Sequence, residues 1–198
     1  MAVDDENRTR GRARGLPCSP MTVPVPSDGA CLFHSVFVAF YYAKKGILLD
    51  PIRSHAKMKR VAQRLRDAAV QYIIKNYRRP LDGVQGNATG RDLVYMEYVV
   101  DPELRGKVKG PKTYVEYMTK YETYAGVTEL HALSGLLRCG IVVHPHGSTQ
   151  RDACEEGQYF NVARGPSEVE RKANDFDDVI LHLAFDEDGQ HYSAIVSR

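Results

Sequence analysis

Between Cys31 and Lys45 the chain is apolar at nearly every position, and a polar Ser27-Asp28-Gly29-Ala30 turn stands directly before it. Leu32, Phe33, Val36, Phe37, Val38, Ala39, Phe40, Tyr41 and Tyr42 make up the run. It is too long for an ordinary strand, and a helix that is apolar on most faces must lie inside the protein. Gly46 supplies a C-terminal stop. The rest of the chain has to wrap this helix, and 198 residues suffice for one domain with one sizeable core.

The remaining segments supply the wrapping. Residues 1–20 are polar, with Asp4, Asp5 and Glu6 followed by Arg8, Arg10, Arg12 and Arg14, and read as a flexible arginine-rich tail. Residues 21–198 then form the single domain. Prolines keep Thr22 to Pro26 extended. Arg53 to Tyr77 reads as an amphipathic helix, with Met58, Val61, Leu65, Ala68, Ala69, Tyr72 and Ile73 inward and basic residues outward. Leu93 to Val100 fits a helix or a strand. Pro111 opens a helix with Tyr114, Val115, Met118 and Tyr121 on one face. Another helix starts at Thr128, its expected cap, and buries Leu130, Leu133, Leu136 and Leu137. Strands follow at Gly140–His144 and Tyr159–Val162, and a hairpin joins Val179–Phe185 to His191–Val196 through Asp186-Glu187-Asp188-Gly189. Helices first and strands later predict an α+β fold, an α/β/α sandwich with a central, mainly antiparallel sheet.

Two residues stand out chemically. Cys31 follows an Asp-Gly turn instead of sitting within an apolar stripe, so it starts a helix, where the positive dipole end lowers a thiol pKa. Unpaired N–H groups of the Asp28-Gly29-Ala30 turn could bind an oxyanion, a type of donor worth about 3–4 kcal/mol in a transition state. Gly29 leaves room for the carbonyl to approach. His191 begins a strand, and Ser193 projects to the same side, placed to orient the imidazole. An early cysteine and a late histidine are the layout of a cysteine hydrolase.

Composition narrows the alternatives. A formal net charge of +2 gives no general attraction to nucleic acid or membrane. No apolar run is long enough to span a bilayer. Cys18, Cys31, Cys139 and Cys154 are irregularly spaced, unlike a disulfide scaffold, so a reducing, cytoplasmic setting is expected. Cys31, His34, His144 and His146 lack the tight paired spacing of a zinc site, so no metal and no cofactor is expected.

Asp28-Gly29-Ala30-Cys31-Leu32-Phe33-His34-Ser35 resembles the nucleophile motif of the ovarian tumour (OTU) family of cysteine deubiquitinases. Gly189-Gln190-His191-Tyr192 is similar to that family's histidine motif. Tyr124-Ala125-Gly126-Val127-Thr128-Glu129-Leu130-His131-Ala132-Leu133 resembles its aromatic-Gly-x-x-Glu-Leu-x-Ala-Leu segment. The three occur in family order, and the likeness is to the compact OTU domains of viruses and some bacteria, whose setting would be the host cytoplasm and whose role would be that of an effector modulating host immunity.

The resemblance implies a deubiquitinase that cleaves the isopeptide bond after ubiquitin's C-terminal glycine. Cys31 would be the nucleophile, His191 its base, and the Asp28–Cys31 loop, with Gly29 and Ala30, the oxyanion hole. Tyr124, Ala125, Gly126 and Tyr192 would flank a channel for the ubiquitin tail. Glu122 and Asp188, with Asp186 and Glu187, would meet the tail's arginines. The partners implied are ubiquitin, polyubiquitin chains and ubiquitin-like modifiers, engaged by a monomer. Two departures are visible: Ser193 stands where the family has Asn or Asp, and Tyr124 where it has Trp. The first keeps a catalytically impaired ubiquitin-binding pseudoenzyme as an alternative, beside a hydrolase for another ubiquitin-like modifier.

Overall fold

The apolar run folds as helix α1, Cys31–Lys45, in the computed structural model, which describes residues 20–51, 53–81, 84, 87–99, 104, 106–145, 158–160 and 179–197. The arginine-rich tail, Cys18, Cys154 and His146 lie outside the described residues. Gly46 adopts φ 66° and donates its N–H to Tyr42 O at 2.8 Å, closing α1 in the left-handed conformation that glycine favours. The first turns, Cys31 to Val36, are buried on every face, whereas Phe37, Phe40, Tyr41 and Tyr42 are only half-buried. Lys44 and Lys45 end the helix at its negative dipole pole.

Helix α2 spans His55–Lys75, two residues shorter at each end than its sequence periodicity predicts. Its buried stripe is Met58, Ala62, Arg66, Ala69, Val70 and Ile73. Relative to the expected stripe the helix is rotated: Ala68 is exposed, Val61 and Leu65 are half-buried, and an arginine points inward. The segment that fitted helix or strand is helical. It forms α3, Gly90–Val94, capped reciprocally by Thr89 and Asp92, and continues into a π-helical turn, Tyr95–Val99. Gly90 is required there, because a Cβ would stand 2.6 Å from Ile73 O.

Helix α4, Pro111–Met118, starts on its proline and buries Tyr114 and Met118. Helix α5, Val127–Leu137, starts one residue before the expected Thr128 cap. Its first amides are met instead by carboxylates. Glu129 accepts from Gly126 N at 2.9 Å, and Glu97, on the π-helical turn, accepts from Val127 N at 2.9 Å and Thr128 N at 2.6 Å. Leu130 and Leu133 are buried as expected, but Leu136 is exposed.

The strands are β1 (Pro20–Val23), β2 (Gly140–Pro145), β3 (Gln158–Phe160), β4 (Ile180–Asp186) and β5 (His191–Ser197). They form one sheet in the order β1-β5-β4-β2-β3. Only β2 and β4 run parallel, so the central sheet of this α+β fold is mainly antiparallel. The hairpin register pairs Asp186 with His191 and Ala184 with Ser193. Helix α1 packs on β5 and β4, and α2 packs on both α1 and α5. Among the described residues no helix is long and apolar enough to cross a membrane.

Candidate active site

The α1–β5 packing brings Cys31, the first residue of α1, against the backbone of Tyr192, the second residue of β5. Cys31 is 2% exposed, and the backbone N–H groups of Tyr192, Leu32 and Cys31 itself point at its sulfur. Tyr192 directly follows His191, so the amide that touches the sulfur carries the histidine's end of the strand with it. Burial pushes the thiol pKa up, and those N–H groups pull it back only in part. The lowering expected from the helix end is therefore present but outweighed, because the buried sulfur is shielded from water and the Asp28 charge adds to the rise. Ser193 is buried two residues along, on the same strand face as His191.

The loop before Cys31 is closed on itself. Asp28 Oδ1 accepts from Ala30 N at 3.0 Å, and Asp28 O accepts from Cys31 N at 3.0 Å. These two N–H groups are thus paired, not open as expected, since the short Asp side chain reaches its own turn. The other carboxylate oxygen, Oδ2, accepts from Tyr121 O–H at 2.9 Å, and Tyr121 Oη lies 2.9 Å from His34 Nε2. The phenol has one hydrogen and gives it to Asp28, so His34 must donate through Nε2. Its Nδ1 is buried without a hydrogen-bond partner, and burial lowers its pKa, which keeps the ring neutral.

Arg66 reaches the same loop from α2. It is fully buried and donates to Gly29 O at 2.7 Å, Thr123 O at 2.7 Å, Tyr121 O at 3.1 Å and Met118 O at 3.1 Å. Its guanidinium also lies 4.6 Å from the Phe33 ring centroid. Gly29 itself abuts the Glu122 backbone so closely that a Cβ would collide with Glu122 O. Glycine is thus required here by the neighbouring loop.

Beside Tyr192 lies a cleft of ≈ 350 Å³. Tyr124, Ala125 and Gly126 line it together with Tyr192, Phe185 and Gln190. Cys31 and His191 do not line it; Tyr192 connects the two, its ring packing 4.6 Å from Phe185 in the cleft and its amide touching the sulfur. Glu122 and Asp188 are exposed and do not line this cleft either, and the carboxylates that do are Glu97 and Glu187. A Cβ on Gly126 would collide with Glu97 Oε1. Glu97 is pushed up to about 7, first by burial and then by the charge of Glu129. Glu129 is fully buried and accepts from Tyr98 O–H at 2.6 Å and Tyr114 O–H at 2.7 Å.

Sequence reasoning missed Arg66, Tyr121 and Glu97. The signal for Arg66 was its spacing, one turn from Ala62 on the buried stripe. The histidines considered as metal donors are otherwise engaged: His34 bonds Tyr121, and His144 stacks on His182 with Nε2 3.0 Å from Nδ1.

Residues 26–192 match the family model described as OTU-like cysteine protease. No curated protein matches the chain in sequence. Among solved structures, an OTU deubiquitinase from Wolbachia pipientis wMel bound to ubiquitin is similar, with a TM-score of 0.53 and 12% identity over 91% of this chain and 97% of that one. The OTU domain of OTUD1 is also similar, with a TM-score of 0.50 and 15% identity over 89% of this chain and 85% of that one. At such identities the likeness is one of fold.

Proposed function

This chain belongs to the OTU-like cysteine protease family, and on that premise we propose that it is a deubiquitinase hydrolysing the isopeptide bond after ubiquitin's C-terminal glycine. The observation that carries the reading is the meeting of Cys31 with the His191-Tyr192 strand end. His191 takes the Cys31 proton as the sulfur attacks the carbonyl carbon, because a thiol whose pKa is raised by burial needs a base at the moment of attack. The sulfur–carbon bond forms, the carbon–nitrogen bond breaks, and His191 returns the proton to the leaving lysine amine. Water, deprotonated by His191, then hydrolyses the thioester, releasing the ubiquitin carboxylate and the free thiol. The Ala30 amide stabilises the oxyanion when the Asp28 side chain gives up its hold on that N–H, the peptide itself staying in place. The cleft between Tyr124–Gly126 and Tyr192 receives the thin end of the ubiquitin tail, with Glu97 and Glu187 at its wall.

Ubiquitin carrying a C-terminal electrophile tests the reading. A covalent adduct is expected with the wild type and none with Cys31→Ala, and His191→Ala is expected to lose turnover of di-ubiquitin. An adduct that survives Cys31→Ala would overturn the assignment. The closed Asp28–Cys31 loop favours a second reading, a ubiquitin-binding pseudoenzyme. Ubiquitin binding with no cleavage of any di-ubiquitin linkage would support that one instead.

A further inference from the structure

Arg66 stands out because it is a fully buried cation that answers its charge with backbone carbonyls. Among the described residues no carboxylate forms an ion pair with it, and its largest charge compensation comes through space from Glu129. Burying a guanidinium is costly unless its donors are used. Here both terminal nitrogens are used, though Nε has no partner, and all four acceptors belong to two segments that border the site. One is the nucleophile loop, through Gly29 O. The other is the 118–123 segment, which leads directly into the Tyr124–Gly126 wall of the cleft.

The Gly29 bond has a geometric consequence. In a trans peptide the carbonyl and the following N–H point in opposite directions. While Gly29 O holds Arg66, the Ala30 N–H must face away from α2, which is where Asp28 Oδ1 meets it. The peptide cannot rotate without breaking a charge-assisted bond of 2.7 Å. Contact between Gly29 and the Glu122 backbone closes the other side. The Asp28–Tyr121–His34 chain ties the same two loops a second time.

We propose that Arg66 is a positioning residue for the cleavage reaction: it fixes the Gly29–Ala30 peptide, and so the amide groups beside Cys31, while locking the nucleophile loop to the segment that carries the channel wall. The proposal rests on the deubiquitinase reading. Arg66 touches neither substrate nor thiol, so its effect falls on the step that builds negative charge on the carbonyl oxygen. Alkylation of Cys31 by iodoacetamide builds no oxyanion and serves as the internal control.

The test uses the full chain with Arg66→Lys and Arg66→Met, each checked for a cooperative thermal transition. Cleavage of ubiquitin bearing a fluorogenic C-terminal amide is followed beside iodoacetamide alkylation of Cys31. Arg66→Met is expected to lower kcat about tenfold to a hundredfold, short of the full loss of an oxyanion donor. KM is expected to stay within about threefold and the alkylation rate within about twofold, since neither senses the oxyanion. Arg66→Lys, which keeps the charge and part of the bonding, is expected to fall between, and it carries the test if Arg66→Met does not fold. A wild-type kcat in a folded variant would overturn the proposal, as would equal losses in kcat and alkylation. Failure of both variants to fold would also overturn it, by giving Arg66 a structural role only. A wild type inert toward ubiquitin but alkylated at Cys31 would instead refute the deubiquitinase reading, and the proposal with it.

Discussion

Replacing Glu97 with glutamine isolates the cost of one buried charge at the edge of the cleft. Glu97 titrates near 7 against a usual value of 4.5. Its carboxylate faces Val127 N and Thr128 N on α5, and the titratable groups around it are Glu129 on α5, Tyr98 on its own turn, Tyr114 on α4 and Tyr192 on β5, the tyrosines held neutral. The two N–H bonds favour the ionised form, but desolvation and Glu129 outweigh them. A carboxyl whose folded pKa is raised stabilises the fold below its unfolded pKa and loses that contribution as pH rises through the folded value. A shift of about 2.5 units corresponds to about 3 kcal/mol, an upper bound because Glu97 is half-buried and partly wetted by the cleft. Glutamine keeps the shape but sets an NH2 donor against one of the two N–H groups that the Glu97 oxygens accept from, so Glu97→Gln is expected to carry a pH-independent offset of about 1–3 kcal/mol. Against that offset, the stability of the wild type relative to Glu97→Gln is expected to drop by up to about 3 kcal/mol between pH 5 and pH 8. Urea unfolding at pH 5, 6, 7 and 8 reads the difference. Parallel curves across that range would refute the reasoning, since they would mean that Glu97 keeps its ordinary pKa.

Two further substitutions probe the loop lock. Tyr121→Phe removes the donor to Asp28 Oδ2 and the acceptor of His34 Nε2–H, leaving the ring only the Asp28 carboxylate at 3.7 Å; a loss of about 1–3 kcal/mol in urea unfolding is expected, and a loss under about 0.5 kcal/mol would contradict the assigned tautomer and network. Gly29→Ala drives a methyl group into the Glu122 carbonyl, so it is expected to cost about 1–3 kcal/mol and to lower ubiquitin cleavage, and a variant as stable and as active as the wild type would show that the two loops are not in register contact.

How far the sequence could be read depended on the range over which each contact acts. The limits of α1 follow from signals a few residues away, the Asp-Gly turn and Gly46, and the structure puts the helix there. The β4–β5 hairpin is equally local. Thr128 looked like a cap because a local rule favours threonine at a helix start, yet a carboxylate 31 positions away takes its N–H. The parallel pairing of β2 with β4 leaves no local signature.

Arg66 shows the same limit most sharply. The expected stripe of α2 ran through Leu65 and set the basic residues outward, and the helix is rotated so that Arg66 faces in. What turns it inward is a set of carbonyls 37 to 57 residues away in the chain, one at the end of α4 and three in loops. Those loops are where the catalytic resemblance is strongest, at Asp28–Cys31 and just before Tyr124. A buried cation that is bonded only to backbone makes the loops depend on it as much as it depends on them: if either moves, several charge-assisted bonds are lost together. The family motifs were therefore legible as local sequence, while the buried side chain that bonds to two of these segments was not, because its partners have no side-chain identity to read.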